Sequence, residues 1–258
     1  MIASYSSNSQ RARVFSEAWV LKFGYCLACD SDSLVQTVAN TRSKDFTCPK
    51  CSHGYELKST LGTFGRRIAD GAFSAMMATI REGRTPSFLL LEYSPAWEVR
   101  NLTAVHHSLI TQDCIEERKA LGPTARRAGW IGCNIVLPKI ALDGRIPILT
   151  DGCIPERDAP RAAFARLQFL SRMPANRRGW AASLLNFLRQ LPGNRFSLSD
   201  AYLFEEHLAT LYPENNNVRP KIRQQLQVLR DAGIIQFEAR GRYKFIDGGY
   251  PNDSSSMV

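Results

Sequence analysis

Two closely spaced cysteine pairs near the N-terminus constrain this chain more than any other feature. Cys26 and Cys29 form the first pair and Cys48 and Cys51 the second, with 18 residues between the pairs. Each pair has the spacing of a thiolate knuckle, and two knuckles complete a tetrahedral zinc site. Because sulfur fills all four positions, none is left for water or substrate. The sequence therefore predicts a structural Zn²⁺ that cross-links the fold; four unrelated reduced thiols are the alternative.

Length, hydropathy and cysteine use indicate a folded cytoplasmic protein. The 258 residues, of which 44% are hydrophobic, are enough for one large domain or for a larger domain with a smaller partner. The polar N-terminus shows no signal peptide, and no apolar run approaches the ~18 residues that cross a bilayer. We therefore expect a cytoplasmic location and no membrane association. Without export a disulfide framework is not expected, and Cys114, Cys133 and Cys153 are predicted to be buried thiols.

The charge of the chain is distributed unevenly. The net charge is +9, and residues 172–246 hold 12 Lys or Arg against 6 Asp or Glu. An excess of this size favours an anionic partner such as nucleic acid, although a basic but otherwise ordinary enzyme is the alternative. The C-terminal third carries most of the basic excess.

Helices and strands are mixed through the first two thirds of the chain. Phe15, Trp19 and Phe23 lie four residues apart, which predicts an amphipathic helix over 10–23. Residues 87–93 are almost continuously apolar, which predicts a central strand covered on both faces. The remaining predicted elements are strands over 55–59 and 146–149 and helices over 68–81 and 161–172. This mixture predicts an α/β (α+β) fold.

A different pattern begins after residues 173–179, where Pro, Gly and charge without periodicity predict a linker. Three helices follow, and residues 234–238 and 242–246 have the pattern of a β-hairpin. The helices are expected over 180–191, from Ser197 or Ser199 to 211, and from an N-capping Asn217 onward. Three helices and a basic hairpin in this order predict a winged-helix domain. We thus expect domains over 1–174 and 175–246 and a flexible tail over 247–258.

Glu56 and Lys58 follow the second cysteine pair at strand spacing, so their side chains project from one face. Asp45 precedes Cys48 by three residues, on the segment that zinc would hold. Two carboxylates beside an ammonium group suit Mg²⁺, which binds phosphate and makes bound water a better nucleophile. Lys58 could then orient that water or neutralise charge developing on the phosphate. A Glu-x-Lys pair is also common on solvated strand faces, so the motif alone does not distinguish a metal site from an ordinary exposed strand.

Asp45 followed by Glu56-Leu57-Lys58 resembles the Asp…(Asp/Glu)-x-Lys signature of the restriction-endonuclease-like nuclease superfamily. More specifically, residues 6–246 resemble the DpnI-like family of methyl-directed type II restriction endonucleases. The segments that carry the resemblance are 7–13, 45–46, 55–59, 121–135, 178–180 and 221–231. The longest of them reads Leu-Gly-Pro-Thr-Ala-Arg-Arg-Ala-Gly-Trp-Ile-Gly-Cys-Asn-Ile.

This resemblance implies an activity, a substrate and a set of site residues. The activity is Mg²⁺-dependent cleavage of double-stranded DNA that carries 6-methyladenine in a GATC context. Asp45, Glu56 and Lys58 are implied as the catalytic trio, with the Leu57 carbonyl helping to hold Mg²⁺. The implied fold is a restriction-endonuclease-like mixed sheet with a zinc knuckle, ahead of the predicted winged helix. Glu17 on the first helix is a lesser candidate for a supporting carboxylate, with a structural role as the alternative.

Residues 121–135 combine basic, aromatic and glycine residues in the manner of a DNA-contacting loop. Arg126, Arg127 and Trp130 could hold phosphate while presenting a ring to a base edge. A glycine-rich turn with a core tryptophan is the alternative. The resemblance implies a tryptophan near the methyl group and so favours the DNA contact.

The exposed face of the third C-terminal helix is the predicted reader of the major groove. Arg and Gln pair well with guanine and adenine there. The residues expected to contact DNA are Asn217, Lys221, Arg223, Gln224 and Gln227, with Arg240 and Arg242 of the hairpin on the phosphate backbone. The alternative is a solvated helix in a winged-helix domain that binds protein.

Two other functions remain open at this stage. One is a non-catalytic zinc and winged-helix reader of methylated DNA, and the other is a nuclease of the same superfamily with a different target. Burying one methyl group contributes only ~0.8 kcal/mol, so strong methyl dependence requires stacking, exclusion of the unmethylated base or two readers. We expect a monomer with one catalytic centre. The four histidines form no recognisable catalytic pattern.

Overall fold

The computed structural model describes residues 7–37 and 44–246, and the predicted tail over 247–258 lies outside these ranges. A mixed central sheet forms the first part of the fold, and a helix-turn-helix-type unit forms its C-terminal end. The predicted fold class is therefore confirmed. In the part of the chain that the structure describes, no helix is long and apolar enough to span a membrane.

The strands, in chain order, are β1 (Val35–Gln36), β2 (Phe46–Thr47), β3 (Gly54–Leu61), β4 (Arg67–Ala72), β5 (Ser87–Tyr93), β6 (Val99–Val105), β7 (Ile115–Glu117), β8 (Gly132–Val136), β9 (Arg145–Leu149), β10 (Arg195–Ser197), β11 (Ile235–Ala239) and β12 (Arg242–Phe245). The α-helices are α1 (Asn8–Phe23), α2 (Phe73–Arg81), α3 (Asp158–Arg166), α4 (Gln168–Ser171), α5 (Ala175–Leu188), α6 (Leu198–Tyr202), α7 (Glu205–Leu211) and α8 (Val218–Asp231).

The central sheet has six strands in the order β1-β2-β3-β5-β6-β9. β3 and β5 are parallel, and the other neighbouring pairs are antiparallel. β5 is buried along almost its whole length, as its apolar sequence predicts. Because side chains alternate along a strand, Leu89 and Leu91 join the core that contains residues of α1 and α3, whereas Phe88 and Leu90 join a second core on the opposite face.

A smaller antiparallel sheet, in the order β4-β8-β7, contributes to that second core through Ile68 and Ile135. Its first strand corrects the sequence prediction, because residues 68–81 do not form one helix. Residues 67–72 pair with β8, and the helix begins only at Phe73. The stretch is rich in small residues that suit either structure, so pairing with a distant strand decided the outcome.

The C-terminal unit contains helices α5 to α8 and a three-stranded sheet in the order β10-β12-β11. Ser197 caps α6 through a reciprocal capping box with Asp200, as predicted for one of the two serines. Asn217 occupies the N-cap position of α8, but its side chain makes no capping hydrogen bond, which corrects that prediction. α8 is amphipathic as predicted, with Ile222 and Leu229 buried on its inner face.

Helix α5 joins the two parts of the chain. The predicted linker over 173–179 is wrong for most of its length, since α5 begins at Ala175. Residues 180–188 are all buried, so the helix is covered on every side from Trp180 to its C-terminal end. Its side chains belong to a core that also contains residues of the small sheet and of α8. A helical segment that is buried all round packs between layers and does not act as a flexible linker.

Candidate active site and metal centre

The four paired cysteines converge into one cluster. Their Sγ atoms all lie within 4.8 Å of one another. The Sγ atoms of Cys26 and Cys51 are 3.6 Å apart, and those of Cys29 and Cys48 are 3.5 Å apart. These distances exclude disulfide bonds of about 2.05 Å and approach the ~3.8 Å expected between ligands of a tetrahedral Zn²⁺ with Zn–S bonds of about 2.3 Å. The cluster therefore fits a structural zinc ion.

Backbone donors favour the ionised form of Cys48. The N–H groups of Lys50 and Cys51 each lie 3.4 Å from its Sγ atom. Burial opposes ionisation, but these donors and the neighbouring thiols lower the pKa of Cys48 to about 6. The thiolate is the form that binds metal, so the surroundings of Cys48 favour the protonation state that a zinc ligand requires. Among the other cysteines, Cys114 and Cys133 are buried as predicted, whereas Cys153 is exposed.

Tyr55 connects the first knuckle to strand β3. Its side chain is fully buried, and its hydroxyl accepts a hydrogen bond from the N–H of Leu27 at 2.9 Å. The same hydroxyl lies 3.4 Å from the Sγ atom of Cys26. Because side chains alternate along β3, Glu56 and Lys58 project on the face opposite Tyr55. Through Tyr55, strand β3 thus connects the cysteine cluster on one of its faces to Glu56 and Lys58 on the other.

Asp45 is held beside the same strand. Its N–H donates to the Tyr55 carbonyl at 2.8 Å, and its Oδ2 atom accepts from the N–H of Leu57 at 2.8 Å. The neighbouring pair in the β2–β3 ladder is Phe46 with Tyr55, so Asp45 lies opposite Glu56. The structure therefore brings two of the three predicted catalytic residues to adjacent positions.

Lys58 lies between two carboxylates. Its Nζ atom is 2.7 Å from Oε1 of Glu56 and 2.6 Å from Oδ1 of Asp70. Burial raises the pKa of Glu56 to about 7, with Asp70 adding to the rise and Lys58 opposing it. Burial disfavours the charged form of Lys58, but the two carboxylates hold its pKa above the ordinary value. The lysine is a protonated ammonium group in a largely buried acidic cluster.

Asp70 is the site residue that sequence reasoning did not identify. It lies on β4, in the smaller sheet, and its side chain is only 6% exposed. The prediction of a helix over 68–81 hid it, because a strand there places alternate residues on opposite faces. Asp70 belongs to no recognisable motif. Alternation of side chains along a strand over residues 67–72 was the signal in the sequence that could have identified it.

Glu17 and Arg13 of α1 lie near Asp45, at the border of the acidic cluster around Lys58. Arg13 donates to Oε1 of Glu17 at 2.6 Å, and Gln36 donates to its Oε2 at 3.1 Å. Hydrogen bonding and charge from Glu17, with a smaller contribution from Asp45, raise the pKa of Arg13. Glu17 thus has two partners of its own, so its role as a supporting carboxylate stays a prediction.

The oxygen ligands beside Lys58 have the chemistry that Mg²⁺ prefers. The carboxylates of Asp45 and Glu56 and the carbonyl of Leu57 are hard donors, and Mg²⁺ usually completes its shell with water and phosphate. Among the residues that the structure describes, the four cysteines are the group in which three or more His, Cys, Asp or Glu donors converge, and the carboxylates beside Lys58 do not form such a group by themselves. The carboxylates would therefore hold Mg²⁺ together with solvent or substrate.

The predicted DNA-contacting loop connects β7 and β8. The guanidinium of Arg127 lies over the Trp130 ring, 4.8 Å from its centroid, and Arg126 and Arg127 are both exposed. A Cβ atom at Gly132 would lie 2.7 Å from that ring, so the absence of a side chain lets Trp130 lie against the backbone. Trp130 is half-buried and not a core residue. Because Gly132 pairs with Ala72, the loop leaves the small sheet two residues from Asp70.

The C-terminal unit presents its predicted contact residues on one helix and the hairpin. Arg223, Gln224 and Gln227 are exposed on α8, and Arg240 and Arg242 are exposed at the hairpin turn. Lys221 is half-buried and donates from Nζ to Oε1 of Gln224 at 2.8 Å, and Asn217 is exposed at the start of the helix. These residues form a polar, mostly basic surface.

These observations define a class of protein. A mixed-sheet domain holds a four-cysteine cluster and an acidic cluster around a lysine, and a basic helix-turn-helix-type unit follows it. This combination is characteristic of zinc-containing DNA-binding proteins.

The family comparison makes the class specific. The model of the DpnI family, described as the Dam-replacing family, matches residues 1–173. The DpnI C-terminal model, described as the Dam-replacing HTH domain, matches residues 176–245. The chain belongs to the DpnI, Dam-replacing family, which confirms the resemblance stated from the sequence. Membership implies methyl-directed restriction and DNA binding.

Proposed function

We propose that this protein is a type II restriction endonuclease that hydrolyses double-stranded DNA at adenine-methylated GATC sites with Mg²⁺. Family membership supports the restriction activity. The single observation that carries the catalytic assignment is the contact of Glu56 with Lys58 beside Asp45, which is hydrogen-bonded to Leu57. The division into 1–174 and 175–246 and the monomeric state are parts of the same proposal.

The proposed trio divides into two metal-binding carboxylates and one cationic residue. Asp45 and Glu56, with the Leu57 carbonyl, hold Mg²⁺, which supplies phosphate binding and activation of water. The N–H of Leu57 donates to Asp45 at 2.8 Å and keeps that carboxylate beside the strand. Lys58 stays protonated between its carboxylates, so it donates hydrogen bonds to the attacking water or to a phosphate oxygen as negative charge develops.

Methyl dependence is proposed to come from two readers on one chain. Burial of a methyl group contributes only ~0.8 kcal/mol, about a fourfold preference. Two independent preferences multiply, so a loop containing Trp130 and a helix containing Gln227 together give stronger discrimination than either alone. The half-buried position of Trp130 and the exposed face of α8 support these assignments.

The test of the proposed function is cleavage of plasmid DNA grown with and without adenine methylation, with Mg²⁺ or with a chelator. We expect methylated plasmid to be cleaved in Mg²⁺, and we expect no cleavage in the other three combinations of plasmid and condition. Intact methylated plasmid despite tight binding would instead indicate a non-catalytic reader. Equal cleavage of both plasmids would indicate a nuclease with another target.

The two-reader proposal has its own test in the full-length chain. Trp130→Ala and Gln227→Ala should each reduce the ratio of binding to methylated and unmethylated duplexes, and the double variant should lose the product of the two factors. Gln236→Ala, which changes an exposed glutamine on β11, is the matched control. A methylation ratio that changes in only one of the two variants contradicts the proposal.

A further inference from the structure

Asp70 makes a buried contact whose partner belongs to the proposed trio. Its Oδ1 atom lies 2.6 Å from the Nζ atom of Lys58, and its side chain is only 6% exposed. Burying a carboxylate costs free energy unless the charge is paired and hydrogen-bonded. Asp70 and Lys58 come from different sheets, so the contact bridges the two sheets across the cluster.

Lys58 has a second carboxylate partner, so its ammonium group is held from two directions. Glu56 lies two residues away on the same strand face and contacts the ammonium at 2.7 Å. A lysine is a flexible point charge with several rotatable bonds, so Glu56 alone would leave the position of its ammonium poorly defined. Asp70 approaches from β4 and supplies a second anchor from another element.

The two anchors differ in what they do when the metal binds. Glu56 would direct its oxygens to Mg²⁺, which weakens its hold on the ammonium. Asp70 would then remain as the partner that holds the ammonium group of Lys58 in place. A bulge in the β4–β8 ladder lies between Asp70 and Ala72, and bulges of this kind redirect side chains near functional sites.

We propose that Asp70 is a positioning residue that holds the ammonium group of Lys58 in place for cleavage. The proposal rests on the proposed function, because it assumes that Lys58 acts on water or phosphate. Asp70 itself touches neither DNA nor Mg²⁺ in this role, so removing its charge should slow the chemical step and leave DNA and metal affinity almost unchanged.

The experiment uses the full-length protein and the isosteric variant Asp70→Asn, with Asp70→Ser as a second way to remove the charge. Single-turnover cleavage of methylated duplex should slow by about 10- to 100-fold, the usual loss when a partner that orients an active-site group is removed. In a Lys58→Ala background the same change should cost less than about twofold, because coupled residues are not additive. Additive losses would overturn the proposal, as would an Asp70→Asn variant as fast as the parent.

Two measurements without catalysis separate the alternatives. Calorimetric titration with Ca²⁺ in place of Mg²⁺ should give similar affinities for parent and Asp70→Asn, whereas a loss above about tenfold would make Asp70 a metal ligand and overturn the positioning role. Mass spectrometry after mild acetylation should show faster labelling of Lys58 in Asp70→Asn, and an unchanged rate would also overturn it.

Matched controls complete the design. Asp30→Asn removes an exposed carboxylate that contacts Lys50 at 2.5 Å, and it should change neither cleavage nor the labelling of Lys58. Zinc content and thermal unfolding show whether each variant is folded. If the parent itself leaves methylated DNA intact, the proposed function fails, while the labelling experiment still reports on the contact between Asp70 and Lys58.

Discussion

Lys58 holds its ammonium group in a largely buried position, where it contacts Glu56 and Asp70 and lies 5.8 Å from the centroid of the Phe88 ring. At the scale of single residues, this environment explains how a lysine remains charged although burial opposes it. The charge is stabilised by carboxylates and by the ring face, and these interactions restrict its motion. A fixed cation beside a carboxylate cluster is suited to phosphate chemistry.

Replacing Lys58 by Ala should abolish most of the cleavage while zinc stays bound. We expect the rate on methylated plasmid to fall about 100-fold or more, the size seen when a group that stabilises transition-state charge is removed. Initial rates and zinc content per chain are the measurements. Lys50→Ala, which removes an exposed lysine paired with exposed Asp30, should cleave like the parent. Parent-like cleavage by Lys58→Ala would contradict the assignment.

We expect His107 to make the free energy of unfolding depend on pH. Its ring bonds Ser171 at 2.9 Å, and burial, then His53 and Arg178, lower its pKa to about 3. Below pH ~6.5 the unfolded chain takes up a proton that the folded chain does not. Stability should therefore fall as the pH drops from about 6.5 towards 3, by up to ~1.4 kcal/mol per pH unit from this group.

The variant His107→Gln isolates that contribution. Urea unfolding between pH 6.5 and 4.5 should show a shallower loss of stability in the variant than in the parent. Because zinc loss affects both proteins, the difference between their slopes reports on His107. Parallel slopes would show that this histidine does not couple folding to pH.

At the scale of elements, the segment between α1 and β3 depends on the cysteine cluster for its position. Within 24–37 and 44–53, the parts of it that the structure describes, the strands are β1 and β2, of two residues each. The second knuckle lies between Asp45 and Glu56 in the chain, and Tyr55 joins the first knuckle to β3. Zinc would therefore position the carboxylates without supplying an atom to the reaction.

Cys48→Ser should lower stability and cleavage together. Loss of a structural metal is among the few single changes that cost about 4 kcal/mol or more. The measurements are zinc content, the free energy of unfolding and the cleavage rate on methylated plasmid. Cys153→Ser, at an exposed cysteine outside the cluster, is the control and should resemble the parent. A fully active Cys48→Ser variant would show that the intact cysteine cluster is not needed to position the carboxylates.

At the scale of the whole molecule, α5 makes the C-terminal unit part of a common core. Asn186, buried in this helix, accepts from the N–H of Ala141 at 2.9 Å and donates to the Leu109 carbonyl at 3.0 Å. Arg189, just after the helix, forms two hydrogen bonds of 2.6 Å with the Asp143 carboxylate. The two parts are thus joined by buried polar contacts as well as apolar packing.

Asn186→Ala should therefore destabilise the entire protein. It leaves the Ala141 N–H and the Leu109 carbonyl without these partners, and each buried unsatisfied group costs about 1–3 kcal/mol. We expect a loss of about 2–4 kcal/mol, measured by urea unfolding, with one transition for both parts of the chain. Asn176→Ala, at an exposed site on the same helix, should have little effect. Separate transitions would contradict the common core.

A single proposed catalytic centre per chain has a consequence for duplex cleavage. Each encounter of a monomer with DNA cuts one strand, so a supercoiled methylated plasmid should pass through a nicked form before it becomes linear. Gel analysis of a time course at low protein concentration tests this. Direct conversion to linear DNA, with no nicked form at any protein concentration, would contradict a monomer that cuts strands one at a time.

Much of the candidate site follows from local sequence. Cysteine spacing predicts the metal cluster, and alternation along β3 places Glu56 and Lys58 on one face. The amphipathic pattern of residues 218–231 likewise predicts which side of α8 is exposed. Each of these inferences needs only residues that are close in the chain, because strand and helix periodicity are local properties.

The errors have a common physical origin in contacts between distant residues. Residues 68–72 form a strand because β8 pairs with them, and residues 175–179 are helical because α5 is buried between two layers. Local composition suited a helix or a strand in the first case and favoured a linker in the second. Tertiary pairing decided the first case, and burial overrode the local preference in the second.

The sequence by itself determined the cysteine pairs, the acidic and basic residues of one strand, the buried side of α8 and the family. Only the tertiary structure decided that Asp70 contacts Lys58, that Trp130 lies against Gly132, and that α5 belongs to a shared core. These contacts join segments far apart in the chain. Their formation depends on how whole sheets pair and pack, which no local pattern specifies.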